Sequence, residues 1–394
     1  MQQTPAQPRQ LLPPEAYTSD AWHKREQREL FARSWVFAGM EGDLKAPGDY
    51  QVVSAGAASL ILLRDEEGSL RAFHNVCRHR GTRLLEGRGN VARGIACFYH
   101  RWAYDLAGRL TTMALGREQF PGVDKATLGL LPAAVGTWQE MVFVNPDPAG
   151  EPFETWLADV ASTLVTHEPG QQRPHGPAGL VEVADVLYRV KSNWKIVVEN
   201  FIDGYHLPIL HHTSLADGDF MQQRWWPVGR HIAFYRPLKP GIRHDNRALP
   251  VIDGIPASYG ASYVWFFPNM AIFETATSWS TFHVLPVSAN ECHVHSRIRA
   301  MPGALEGHEP PFADIADPPA HVVRAAGPYA ERRRDFEGIH PLASDDVMME
   351  DIYACEAVQQ GLETGFARVG PLARWEATMT FFQGHVLEHV PLYP

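Results

Sequence analysis

The chain has 394 residues, 45% of them hydrophobic and 20% charged, which is ordinary globular composition with length for two or three domains. Its formal net charge is -10, from 45 acidic and 35 basic residues. This argues against a nucleic-acid-binding surface, since the densest basic run, "ERRRD" at 331–335, is flanked by acids. The four cysteines are too few for a secreted disulfide framework, the first ten residues lack an apolar signal core, and no apolar run reaches membrane-spanning length. The composition reads as a soluble, cytoplasmic protein without a membrane segment.

Along the chain, "PPEAYTSDAWHKREQRELFARSW" reads as a helix with Thr18, Ser19 and Asp20 as cap candidates. Residues 1–40 are expected to be a helical segment packed on the later, larger domain. From residue 48 to about 144 the pattern is short strands and turns. "SLILLRDEEGSLRAFHNV" reads as strand, acidic turn with Gly68, strand, and "GRLTTM" and "MVFVNPDP" read as further strands. A small β-rich domain over 41–155 follows. Residues 170–179 form a Pro/Gly/Gln connector within the start of a larger domain, 156–394. There "EVADVLYRVKS" reads as a strand and 194–205 as a helix. "ASYVWFFPNMAIFE" and "STFHVLPVSANECHVHSRI" read as strands of one antiparallel sheet. "SDDVMMEDIYACEAVQQGL" is a helix with Ser344 as its cap candidate.

Two constellations carry chemistry. In the β-rich domain Cys77 and His79 are followed by Cys97 and His100, each pair near a loop tip. Structural zinc sites commonly group two cysteines before two histidines. Interleaved types suit a binuclear centre in which one iron takes two thiolates and the other two imidazoles. Zinc remains the rival occupant. Gly81 and Gly94 allow tight loops whose amides can face sulfur.

The second constellation lies in "NWKIVVENFIDGYHLPILHH". On a helix Glu199, Asp203 and His206 share a face, and Pro208 bends the chain so that His211 or His212 can return toward His206. In the late helix Val347, Asp351, Cys355, Val358 and Leu362 form a stripe that is apolar except for Asp351. A carboxylate on such a stripe needs a partner or a metal. Asp345, Asp346 and Glu350 fall off the stripe and read as capping or surface acids. Two histidines and a carboxylate form the facial triad of non-haem Fe(II) oxygenases.

Together, "CRHRG", "CFYHRWAYDLAGRL", "NWKIVVENFIDGYHLPILH" and "EDIYACEAVQQGL" make the chain resemble, over nearly its whole length, the large (alpha) subunit of Rieske non-haem iron ring-hydroxylating oxygenases. The resemblance implies an α+β architecture: a small Rieske domain, then a catalytic domain with an antiparallel sheet flanked by helices, helix-grip-like. It implies that Cys77, His79, Cys97 and His100 hold a [2Fe–2S] cluster, and that His206, His211 and Asp351 hold a mononuclear Fe(2+). Asp203 would bridge histidines of the two centres across a subunit boundary in a homotrimer, and Asn200 would line the iron pocket. The length is similar to that of alpha-only trimers.

Positions 82 and 99 carry Thr and Tyr where respiratory Rieske proteins have extra cysteines, which favours the oxygenase or ferredoxin kind. No nucleotide-binding glycine motif is evident, so electrons are expected from a separate NAD(P)H-dependent reductase of flavin or ferredoxin type. Tyr263, Trp265 and Phe267 share a strand face. With Trp225, Trp226, Tyr235, Phe273, Trp279 and Phe282, they supply aromatic surface for a ring or for a quaternary ammonium. "CEAVQQGL" looks like the betaine and choline monooxygenase branch, whereas "DGYH" at 203–206 departs from the Glu-Cys-Tyr-His of several of its members. The expected reaction is hydroxylation, dihydroxylation or oxidative demethylation of a small aromatic compound or aromatic acid. A betaine-like amine is the alternative substrate, and an electron carrier without catalysis is the alternative class. No arginine is fixed by the sequence as the partner of a substrate carboxylate; Arg224, Arg230, Arg236 and Arg243 are all nearby in the chain.

Overall fold

The computed structural model describes residues 7–158, 160, 176–244, 249–304, 322–323 and 340–392. The basic run at 331–335 and most of the 170–179 connector lie outside them. Contacts divide the chain into Arg25–Trp156 and a second unit made of Met1–Lys24 with Leu157–Pro394. The expected N-terminal segment is therefore shorter than residue 40. Val36–Met40 leaves it because those residues pair antiparallel with Met141–Asn145.

The unit Arg25–Trp156 is β-rich. Its strands are β1 (Val36–Met40), β2 (Asp49–Ala55), β3 (Ala58–Arg64), β4 (Leu70–His74), β5 (Arg88–Asn90), β6 (Ile95–Ala96), β7 (Ala103–Tyr104), β8 (Leu110–Thr112), β9 (Pro132–Trp138) and β10 (Met141–Asn145). Seven form one sheet in the order β1-β10-β9-β4-β3-β2-β5, and β6-β7-β8 form a small second sheet. The acidic turn between β3 and β4 closes on Gly68 at φ +83°, in the left-handed region that favours glycine. Ile61, Leu63, Phe73, Ile95, Trp102, Tyr104 and Leu110 make a core that also contains Cys77 and Cys97. Hydrophobic burial thus fixes the roots of both Cys/His loops.

The other unit is built on an antiparallel sheet of β11 (Val181–Val190), β12 (Arg224–Val228), β13 (His231–Arg236), β14 (Ala261–Phe266), β15 (Met270–Thr275), β16 (Trp279–Ser288), β17 (Glu291–Ala300) and β18 (Val322–Val323). Its order is β12-β13-β14-β15-β16-β17-β11-β18. Helix α1 (Trp194–Ile202) packs on β16 and β17 and against two later helices, α3 (Val347–Glu363) and α4 (Ala377–His389); a one-turn helix, α2 (Leu207–Leu210), follows α1. This is the α+β, helix-on-antiparallel-sheet arrangement expected.

Three local expectations change. Helix α1 stops at Ile202 rather than 205, with Asp203 already in extended conformation as its C-cap. The cap of α3 is Asp346, whose side chain accepts from Met349 N, while Ser344 donates to Pro341 O. The first helix is broken at Ser19, whose hydroxyl accepts from Trp22 N. Among the described residues no helix is long and apolar enough to cross a membrane.

Candidate metal centres

The two Cys/His loops have matching backbones. Cys77 N donates to Thr82 O and Cys97 N to Trp102 O, both at 2.8 Å. Gly81 N returns a bond to Cys77 O and Arg101 N to Cys97 O, both at 3.0 Å. The returning residue has positive φ in each loop: +72° at Gly81 and +55° at Arg101. Gly94 supports the second loop, since a Cβ there would stand 2.5 Å from Tyr104 O.

These turns bring the four side chains to the loop tips. The His79 and His100 ring centroids are 4.6 Å apart, and His79 stacks on Trp102 at 4.8 Å. His79 Nδ1 is buried without a hydrogen-bond partner, as suits an atom free to serve as a ligand. Burial acts to raise the Cys97 thiol. The Tyr99 and His100 amides, with Cys77 and Thr82, outweigh it and draw the thiol below its ordinary value. Amides directed at sulfur suit a thiolate ligand, so the donor set fits a mixed thiolate–imidazole cluster. All four cysteines are free of disulfides.

Tyr104 is a residue that motif spacing does not reveal. Its hydroxyl accepts from Arg78 N at 3.0 Å and lies 3.4 Å from Cys77 Sγ. Burial, with Cys77 beside it, pushes the phenol well up, so it stays a neutral donor toward sulfur.

In the larger unit, His206, His211 and Asp351 each offer a ligand atom, all within 4.8 Å of one another. His206 begins α2, His211 ends it, and Asp351 reaches in from the second turn of α3. The Pro208 turn, not a continuous helix face, makes the histidines neighbours, with ring centroids 5.1 Å apart. His211 is fully buried and joins this group, whereas His212 is exposed and does not.

Both imidazoles are held at Nδ1 by carboxylates. His206 Nδ1 donates to Asp203 Oδ2 at 2.9 Å, and His211 Nδ1 donates to Glu350 Oε2 at 2.6 Å. Each ring therefore presents Nε2 to the shared site, lying 3.7 Å and 3.0 Å from Asp351 Oδ1. Asn200 Nδ2 donates to that same oxygen at 3.1 Å. The donor set and its open side fit a facial triad.

Glu350 is a correction: expected as a capping or surface acid, it is wholly buried and also accepts from Ser214 Oγ at 2.6 Å. Glu199, although it shares a helix face in sequence, is not part of this group. It accepts from Tyr17 Oη at 2.7 Å and Gln383 Nε2 at 2.8 Å.

A cavity of about 230 Å³ opens beside the triad, lined by Asn200, Phe201, Phe234, Arg236, Tyr263 and Phe273 among others. Tyr263 and Phe273 belong to the expected aromatic set. Trp279 and Phe267 are core instead, and Trp265 packs on Phe201 at 5.6 Å. Phe201 and Phe234 were not singled out by alternation. Phe234 earns its place through register, since it pairs with Tyr263, which pairs with Phe273. Of the four arginines nearby in sequence, Arg236 lines the cavity.

Comparison with known proteins identifies the family of each unit. Residues 177–392 match the family model for the ring hydroxylating alpha subunit (catalytic domain), and residues 34–120 match the Rieske [2Fe-2S] domain. The chloroplastic choline monooxygenase of Atriplex hortensis is 27% identical over 368 residues, covering 91% of this chain and 73% of the relative. The chlorobenzene dioxygenase subunit alpha of Cupriavidus sp. (strain PS12) is 33% identical over 203 residues, covering 51% of this chain and 44% of its own length. A crystal structure of the quaternary ammonium Rieske monooxygenase CntA superimposes with a TM-score of 0.71 at 20% identity, covering 96% of this chain and 94% of that one. At that identity the likeness is one of fold.

Proposed function

The chain belongs to the ring hydroxylating alpha-subunit family, with a Rieske domain ahead of the catalytic domain, and from that premise we propose which residues serve each centre. Cys77, His79, Cys97 and His100 hold the [2Fe–2S] cluster; His206, His211 and Asp351 hold the mononuclear iron. The protein is the terminal oxygenase component of a Rieske non-haem iron system, an oxidoreductase acting with O₂ and externally supplied electrons.

When bound, the cluster supplies single electrons and the ferrous ion supplies O₂ activation. The chain's own residues set the geometry. Asp203 and Glu350 keep protons on Nδ1 of His206 and His211, so that both Nε2 atoms remain ligands. Asn200 orients Asp351 by donating to Oδ1. Phe201, Phe234, Tyr263 and Phe273 form an apolar wall that excludes water and receives the body of the substrate. Tyr263 stays a neutral phenol, because burial and the nearby Asp203 both push its titration far up.

Electrons come from a separate reductase of flavin or ferredoxin type. Each mononuclear site is served by the Rieske domain of a neighbouring subunit in a homotrimer, with Asp203 at the crossing.

The observation that carries this reading is the convergence of His206, His211 and Asp351, 140 residues apart in sequence between the last two, beside an aromatic cavity. The substrate is a small aromatic compound or aromatic acid. A second reading, a quaternary ammonium compound, is supported by the choline monooxygenase relatives and by the same four aromatic side chains. The test is reductase-coupled turnover under ¹⁸O₂ over both substrate classes. Labelled product from one class assigns it, and NADH use without labelled product from either contradicts the reading.

A further inference from the structure

One group in the cavity beside the triad is not accounted for by metal chemistry. Arg236 is only 5% exposed, yet its guanidinium makes no ion pair and no hydrogen bond among the described residues; Nε is buried without a partner. A desolvated charge left this way is expensive, and native structures normally retain one only where something else completes it.

The surroundings hold the group without satisfying it. The guanidinium lies over the Phe220 ring, 5.1 Å from its centroid. Asp217 is near enough to act on the charge, although burial is the stronger influence and draws the guanidinium below its ordinary value. Gly218 makes the space: a Cβ there would stand 2.6 Å from Arg236 Nε and 2.8 Å from Cζ.

The placement points into the substrate cavity. Arg236 shares a face of β13 with Phe234, two residues and roughly 7 Å along the strand. Across the sheet, Phe234 pairs with Tyr263 and Arg236 with the small Ala261. Moving along the cavity, an aromatic row is therefore followed by a cation with room beside it. Arg236 also lines a more polar cavity of about 430 Å³, together with Thr213, Ser214 and Thr275. It therefore lines both the apolar chamber and this more polar cavity, whose lining also includes Asp217, His244 and Asp345.

We propose that Arg236 anchors a carboxylate of the substrate, so that the enzyme acts on a small organic acid whose apolar body lies along Phe234, Tyr263 and Phe273. A guanidinium presents a planar fork that fits a carboxylate in bidentate fashion, and it repels a cation that lacks one. The proposal rests on reading this cavity as the oxygenase substrate site. It selects aromatic acids or carboxylate-bearing betaines over neutral hydrocarbons and over choline-like cations.

The test is calorimetric titration of the holoenzyme and of Arg236→Met and Arg236→Lys with matched probes: benzoate and benzamide, cinnamate and cinnamamide, trimethylglycine and choline. In at least one pair the wild type should bind the carboxylate at least tenfold more tightly than its partner. Arg236→Met should abolish that preference while its ligand-free melting temperature holds or rises, and Arg236→Lys should keep part of the preference. Equal binding within every pair by the wild type, or an unchanged preference in Arg236→Met, overturns the proposal. Iron content and the reduced-cluster resonance are measured on the same preparations. Their absence from the wild type would sink the oxygenase reading, while the titration still decides the carboxylate question.

Discussion

Glu350 shows how a single residue can matter without touching a metal or a substrate. Its Oε2 accepts from both His211 Nδ1 and Ser214 Oγ, and its other oxygen is buried without a partner. Glu350→Gln keeps the shape but removes the charge that favours the Nδ1–H tautomer. Iron affinity at the mononuclear site should fall about 10- to 100-fold. The check is iron retained after dialysis against a graded chelator, with the cluster absorbance as internal control; wild-type retention would contradict the role. This residue was hidden in sequence because periodicity counts glutamate as polar. The stripe through Val347, Asp351, Cys355, Val358 and Leu362 picked out Asp351, which the structure does bring beside His206 and His211, but misplaced the buried face. Val358 is 51% exposed, whereas Met349, Glu350, Ile352, Cys355 and Gln359 are buried. Buried polar residues with dedicated partners defeat a hydrophobicity pattern.

At the scale of elements, α1 is the site's foundation. Trp194, Lys195, Ile196, Val197, Val198, Glu199 and Ile202 are all buried in it. Burial pushes the Glu199 carboxyl up to about 7 from its ordinary 4.5, against the opposing Tyr17 and Gln383 hydrogen bonds. The native state therefore keeps a proton that the unfolded chain has released. Below pH 4.5 both states are protonated and the group contributes nothing. As pH rises from there to about 7 it progressively destabilises the fold, by an amount on the order of 3 kcal/mol. Glu199→Gln, which mimics the protonated form, should gain stability relative to wild type through that window and hold a constant lead above it. Denaturant midpoints against pH measure this, and parallel curves would refute it. The helix itself was legible from its apolar residues. Its end was not, because the Asp203–His206 pairing, which looked like one helix face, is made by the turn after Ile202.

At the scale of the whole molecule, the order of motifs revealed both metal-binding units and their fold class, since ligand spacing is local. The unit boundary and the cavity wall were less accessible, because they depend on pairing between distant strands. β1 joins β10 over 100 residues later, and Phe234 meets Tyr263 only through register. The proposed transfer between subunits rests on Asp203, only 12% exposed and bonded to His206. Asp203→Asn homotrimers should carry both metals yet turn over poorly. Co-assembled with Cys97→Ser subunits, which lack a complete cluster site, they should regain activity, because an intact cluster in one chain then serves an intact Asp203 in its neighbour. Mixed trimers as inactive as either parent would exclude transfer between subunits.

The central claim, that two separate metal centres are seated by the residues named, is tested most directly by Asp351→Ala. Wild-type protein prepared without oxygen should hold about three irons per chain and show the mixed-ligand resonance on reduction. The variant should hold about two, with that resonance unchanged and turnover abolished. A variant that keeps its third iron, or loses the cluster signal along with it, would contradict the account.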